Sequence, residues 1–218
     1  ERCLMLLAVD VGNTNILLGI FEGKNILSSW RLHTDSRLTT DEFTLFVDNL
    51  LQRENHNLSE IDALALACVV PPLLHPITSF AERRLKISPL IVGPGTKTGM
   101  PILLDNPKEL GADLIVNAVA AKEKFGQPLI VIDFGTATTF SIVSEKGEYA
   151  GGLIAPGIRM ATEGLFKETA KLPRVEIVEP TSVLGKSSIT AIQSGVFYGF
   201  VGLVKEITLN IWREIDCK

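Results

Sequence analysis

Cysteine is scarce in these 218 residues, and Cys3, Cys68 and Cys217 stand too far apart for a thiolate metal site or a disulfide framework. Three isolated thiols point to a reducing, cytoplasmic setting. Charge of one sign is never concentrated, because the formal net charge of −4 is spread along the chain without long runs. That excludes the basic footprint of a nucleic-acid or anionic-membrane binder and favours small-molecule partners. Long apolar runs are missing too. The opening Leu4-Met5-Leu6-Leu7-Ala8-Val9 is stopped by Asp10, too early for a secretory signal, and no later stretch would span a bilayer. A nucleotide-binding P-loop is also absent. Gly93-Pro94-Gly95-Thr96-Lys97-Thr98 has the wrong glycine spacing before its lysine. His33, His56 and His75 have no partners at a readable spacing, so they read as solvated or loop residues.

What remains is a chain 46% hydrophobic and 21% charged, enough for a sizeable core and long enough for one large domain or two small ones. Leu4 to Val9 reads as a buried strand entering a turn at Gly12-Asn13, with further strands at Ile16 to Phe21 and Ile26 to Leu32. Thr39 and Glu42 form a capping-box signature, followed by Phe43, Phe46, Val47, Leu50 and Leu51 on one helical face. A strand at Ala63 to Val70 ended by Pro71-Pro72, a helix around Ser79 to Leu85 and a strand at Leu90 to Val92 complete a β-β-β-α-β-α-β order.

The second half begins the same way. Leu129 to Ile132 leads to Asp133, then strands follow around Thr139 to Val143 and Tyr149 to Ile154. Asp10-Val11-Gly12-Asn13-Thr14 and Asp133-Phe134-Gly135-Thr136-Ala137 therefore occupy one strand-to-turn position twice. A lone Asp-x-Gly is more often a turn glycine with a capping acid. Its duplication predicts two copies of one α/β fold facing a cleft.

A strand that ends in Asp and turns through Gly brings backbone N–H groups to phosphate oxygens, while the carboxylate holds a hydrated Mg²⁺. Asp10 and Asp133 are the expected metal carboxylates; Gly12, Asn13, Thr14, Gly135, Thr136 and Thr138, with Asp10, are the expected nucleotide-phosphate residues. Phosphoryl transfer is the chemistry such a pair of loops serves. Asp113, after Gly111-Ala112, opens a helix running through Ile115, Val116, Val119 and Ala120 to about Gly126. Alone, it would be an ordinary first-turn acid. A long helix from Ser187 to about Ile215 carries Gly195, Gly199 and Gly202, which suit close approach of another element.

With Asn106-Pro107, Gly151-Gly152, Pro156-Gly157, Thr169-Ala170-Lys171-Leu172-Pro173 and Gly185-Lys186 added, the ordered motifs resemble the type III pantothenate kinases of the actin-like kinase superfamily. The resemblance covers nearly the whole chain. It implies two tandem ribonuclease-H-like domains, 1–126 and 127–218, the second lacking the family's last segment. It also implies ATP-dependent phosphorylation of pantothenate, with Mg²⁺ and a monovalent cation, K⁺ or NH₄⁺, in a homodimer. Asp113 matches the family's proposed general base, with Gly111, Leu104, Leu114 and Ser188 at substrate-binding positions, Ser188 reaching the partner's site. Where the family has an arginine and an aromatic before Asn-Pro, and an arginine after Gly-Ala-Asp, this chain has Leu103, Leu104 and Leu114. Those leucines raise an alternative: a non-catalytic regulatory relative that keeps the nucleotide cleft and has lost the acceptor site. A phosphatase of phosphate polymers or a sugar kinase would match only at the two Asp-x-Gly loops.

Overall fold

The computed structural model describes residues 4–216, so Cys3, Cys217 and Lys218 lie outside the described residues. The chain divides into two compact units, Glu1–Glu123 and Lys124–Lys218.

The first unit holds a five-stranded sheet of β1 (Met5–Val11), β2 (Asn15–Glu22), β3 (Asn25–His33), β4 (Ala63–Cys68) and β5 (Leu90–Ile91), ordered β3-β2-β1-β4-β5. β1, β2 and β3 form an antiparallel meander, and β4 and β5 add in parallel. That is the ribonuclease-H-like order. Side chains alternate across a strand, so Leu7, Val9 and Val11 of β1, Ile16, Leu18 and Ile20 of β2, and Leu64 and Leu66 of β4 are buried.

Two helices supply the rest of that core: α1 (Thr40–Arg53) through Phe43, Val47 and Leu51, and α2 (Pro71–Phe80) through Leu73, Ile77 and Phe80. Phe43 and Phe80 meet edge-to-face with ring centroids 5.1 Å apart. The capping box forms as its sequence signature requires: Glu42 N–H donates to Thr39 Oγ1, and Thr39 N–H donates to Glu42 Oε2 at 2.9 Å. The i, i+4 and i+8 positions of α1, Phe43, Val47 and Leu51, are buried in the core, and Leu50 packs against it partly buried. Phe46, expected on that face, is 45% exposed.

Two boundaries differ from the expectation. β4 stops at Cys68, and Pro71-Pro72 open α2 instead of merely ending the strand, because proline at the first helical turn forfeits no needed hydrogen bond. The helix expected around Ser79 to Leu85 therefore begins eight residues earlier, at Pro71, and continues as a π-helical turn over Ala81–Leu85. The third helix, α3 (Ala112–Phe125), ends where Gly126 takes φ +83°, a left-handed value that glycine accepts without strain.

The second unit has an antiparallel sheet, β6 (Leu129–Phe134), β7 (Ala137–Val143) and β8 (Tyr149–Pro156), in that order. It repeats the meander of the first unit, with three strands among the described residues. α5 (Ser188–Asp216) lays Leu203, Val204, Ile207 and Ile211 against Ile130, Ile132, Phe140 and Ile142. α4 (Ile158–Lys167) has no counterpart in the sequence reading. It follows Gly157 with no side-chain cap to announce it.

Phe80→Ala is expected to cost about 3–5 kcal/mol, since it removes a fully buried ring and leaves a cavity. Thr39→Ala should cost about 1 kcal/mol through the lost cap. The backbone N–H of Thr39, and then its hydroxyl, hold the Glu42 carboxyl below its ordinary value of 4.5. A depressed carboxyl stabilises above its unfolded pKa, so the gap between wild type and Glu42→Gln should be full at pH 7 and close as pH falls below 4.5. Urea unfolding of the three variants across that range measures all three effects.

Candidate active site

β1 runs hydrogen-bonded on both edges and delivers Asp10 next to its last residue, paired with Leu17 of β2 and Ala67 of β4. The turn that follows is tight. Gly12 N–H donates to Asn15 O at 3.0 Å, and a Cβ on Gly12 would stand 3.2 Å from the same oxygen. Asn13 is exposed at the tip, and Thr14 is half-buried behind it. Thr34, the residue after β3, donates its N–H to Thr14 O at 3.0 Å and its hydroxyl to Gly12 O at 2.7 Å.

The second loop is built alike, one residue shorter. Val11 pairs with Ile16 across the first hairpin, whereas Phe134 pairs with Thr138 across the second. Gly135 N–H donates to Ala137 O at 3.0 Å, and a Cβ on Gly135 would lie 3.9 Å from both carboxylate oxygens of Asp133. Asp133, Gly135 and Thr136 are exposed. Thr138 is placed differently: it is 0% exposed, and its hydroxyl donates to Pro156 O at 3.4 Å. It fastens the loop from beneath.

The Gly111-Ala112-Asp113 segment starts α3 in the first unit. Asn106 caps a 3₁₀ turn over Pro107–Glu109, accepting from Lys108 N–H and donating to Glu109 Oε1 at 2.8 Å, so the Asn-Pro pair shapes the approach to Gly111. Asp113 Oδ1 accepts from Leu114 N–H at 2.8 Å and stands where a side chain on Gly111 would have to go. That same Cβ would be 3.7 Å from Val69 Cγ1, and Val69 N–H donates to Val11 O. The base candidate thus starts its helix beside the end of β1 that carries the Asp10 loop.

Beneath α3 the sheet is lined with small residues, Ala8, Gly19, Ala65 and Ala67, which leave a hollow of about 270 Å³ reaching Asp10 and Val116. Leu104 and Leu114 are half-buried and Leu103 is 54% exposed. Ser188 is exposed in the first turn of α5, after Ser187 and Thr190 cap that helix reciprocally. In the second unit a larger apolar hollow of about 460 Å³ lies between Phe134, Ile158 and the α5 residues Phe197, Phe200 and Val204, with Lys205 among its lining residues.

Among the described residues no three His, Cys, Asp or Glu side chains gather as a protein-made metal cage. Asp10 keeps Oδ1 shut away from solvent. One carboxylate per phosphate-type loop suits a Mg²⁺ ion that takes its other ligands from water and phosphate. Cys68 pairs with Val11 in the neighbouring strand. Burial first, and then the Asp10 carboxylate, push its thiol above its ordinary range, which disfavours the reactive thiolate. His56 corrects the reading of isolated histidines: its Nδ1 lies 2.8 Å from Glu60 Oε2, and that bond is the main cause holding the Glu60 carboxyl low.

Residues 6–210 match the family model described as type III pantothenate kinase. The type III pantothenate kinase of Moorella thermoacetica is 50% identical over 214 residues, covering 98% of this chain and 84% of its own length. That of Geobacter sulfurreducens is 48% identical over 210 residues, covering 96% and 82%. An Exiguobacterium enzyme of the same description is 46% identical over 211 residues, covering 97% and 83%. With its motifs lying on two matching Asp-x-Gly hairpins and the start of α3, this chain belongs to the type III pantothenate kinase family.

Proposed function

We propose that the protein transfers the γ-phosphoryl group of ATP to the primary hydroxyl of pantothenate, the first step of coenzyme A synthesis. The observation that carries this reading is the near-full-length identity to relatives of that description, about half of all residues. In the step itself the acceptor hydroxyl gives its proton to Asp113, its oxygen bonds the γ-phosphorus, and ADP departs with the electrons of the broken P–O bond. The Leu114 N–H holds Asp113 Oδ1, which leaves Oδ2 to take that proton. Gly12, Asn13 and Thr14 on one loop, and Gly135 and Thr136 on the other, offer N–H and hydroxyl donors to the phosphates. Asp10 and Asp133 would hold Mg²⁺, which neutralises phosphate charge when bound. The family resemblance adds a monovalent cation, K⁺ or NH₄⁺.

Asp113→Asn keeps the side-chain size and removes the base, so turnover should fall by roughly 10²–10⁴ while ATP still binds. Gly111→Ala offers a second route to the same defect. The new methyl displaces only the mobile end of Asp113, so thermal stability should hold while turnover drops at least about tenfold. Acceptor-dependent ADP release, measured beside thermal unfolding, checks both; unchanged turnover in Asp113→Asn would make that residue purely structural.

Leucine presents neither charge nor hydrogen bonds to a carboxylate that has lost its water. With Leu104 and Leu114 at the acceptor positions, the wild-type protein is expected to bind pantothenate weakly. Leu114→Arg with Leu104→Tyr should tighten binding roughly ten- to a hundredfold. Calorimetry on the double variant reads the change, and tight wild-type binding unaffected by the pair would assign acceptor capture to other residues.

A homodimer through α5 completes the proposal. A Cβ on Gly195, Gly199 or Gly202 would meet nothing within 4 Å beyond its chain neighbours and the adjoining backbone of its own helix, so that strip is open to a second backbone. Exposed Tyr198, Val201 and Leu209 extend it. Gly199→Glu should shift sedimentation from dimer to monomer.

A further inference from the structure

The two hairpin loops are fastened from equivalent positions. Register pairs Asn15 with His33, which sets Thr34 opposite Thr14; it pairs Ala137 with Pro156, which sets Gly157 opposite Thr136. In each meander, then, the residue just past the third strand faces the loop just past the first. The two residues act by opposite means. Thr34 binds the carbonyls of Gly12 and Thr14, through its hydroxyl at 2.7 Å and its N–H at 3.0 Å. Gly157, buried, lies so close to the carbonyl oxygens of Gly135 and Thr136 that any Cβ would collide with both.

A trans peptide is planar, with its C=O and N–H pointing to opposite sides. Holding Gly12 O therefore aims the N–H of Asn13 away from Thr34. Seating the carbonyls of Gly135 and Thr136 against Gly157 aims the N–H groups of Thr136 and Ala137 away from that wall. Backbone N–H groups turned outward together form the concave anion site that phosphate needs.

We infer that Thr34 and Gly157 are the positioning residues of the two phosphate loops, Thr34 by tethering and Gly157 by clearance. This rests on the reading above that the loops hold the phosphates of ATP. It assigns a binding role to two positions that act through the loop backbone they meet.

Replacing Thr34 with Val removes the hydroxyl and keeps the shape. ATP affinity measured by calorimetry on the full chain should weaken about five- to tenfold, the equivalent of one lost hydrogen bond. The KM for ATP should rise in step while the KM for pantothenate stays put, and Thr34→Ser should recover most of the loss. Thr34→Ala, which cannot clash, is read in parallel in case Thr34→Val folds poorly. Gly157→Ala should weaken ATP binding at least as much, since it displaces backbone. Asp10→Asn separates the two levels of the argument. If it weakens ATP binding while the Thr34 and Gly157 variants do not, or if serine fails to restore, the positioning role is refuted and the phosphate reading stands. If Asp10→Asn also leaves ATP binding untouched, the phosphate reading falls and the clamp with it.

Discussion

β1 is hydrogen-bonded along its whole length on both edges, to β2 antiparallel and to β4 in parallel, and the rest of the first unit is arranged around that double ladder. A strand so held cannot shift register without turning its buried residues, Leu7, Val9 and Val11, to the wrong face. The carboxylate at Asp10 is consequently set as firmly as the core is. The same ladder draws in Val69, whose N–H bonds Val11 O, and through it the start of α3 where Gly111 and Asp113 sit. Core packing and candidate chemistry share one set of backbone bonds.

The second unit repeats the device with a hairpin one residue shorter, and the difference shows in its threonines. In the first loop Thr14 lies before the start of β2; in the second, Thr138 has already entered β7, where it is buried and bonded to Pro156 O. Sequence spacing alone places Thr136 and Thr138 side by side as hydroxyl donors. The start of β7 separates them: Thr136 belongs to the exposed turn before the strand, and Thr138 lies within the sheet, where it is buried.

The family motifs likewise divide into chemical and architectural parts. Asp10, Asp113 and Asp133 carry groups that can bind or transfer protons and metal. Asn106-Pro107 instead makes a capped turn, Gly157 gives clearance to a loop, and Gly185 lets its segment pass against the backbone of Thr190 and Ala191 at the start of α5. A motif residue of the second kind is retained in the fold for the space or angle it allows.

Local physics was legible from the residues alone. Short apolar strands, the Thr39–Glu42 capping box and the repeated Asp-x-Gly turns each depend on neighbours within a few positions, and each formed where the sequence put it, to within a residue or two at the strand ends. Where the signal was ambiguous locally, the packed chain resolved it. Pro71-Pro72 could end a strand or begin a helix, Phe46 could lie on either side of a helical stripe, and His56 needed only Glu60 one turn away. The register that sets Thr34 against Thr14 and Gly157 against Thr136 was never in the local sequence. It arises when a third strand returns beside the second, 20 residues after Thr14 in one meander and 21 after Thr136 in the other, and only tertiary hydrogen bonding decides which residues meet there.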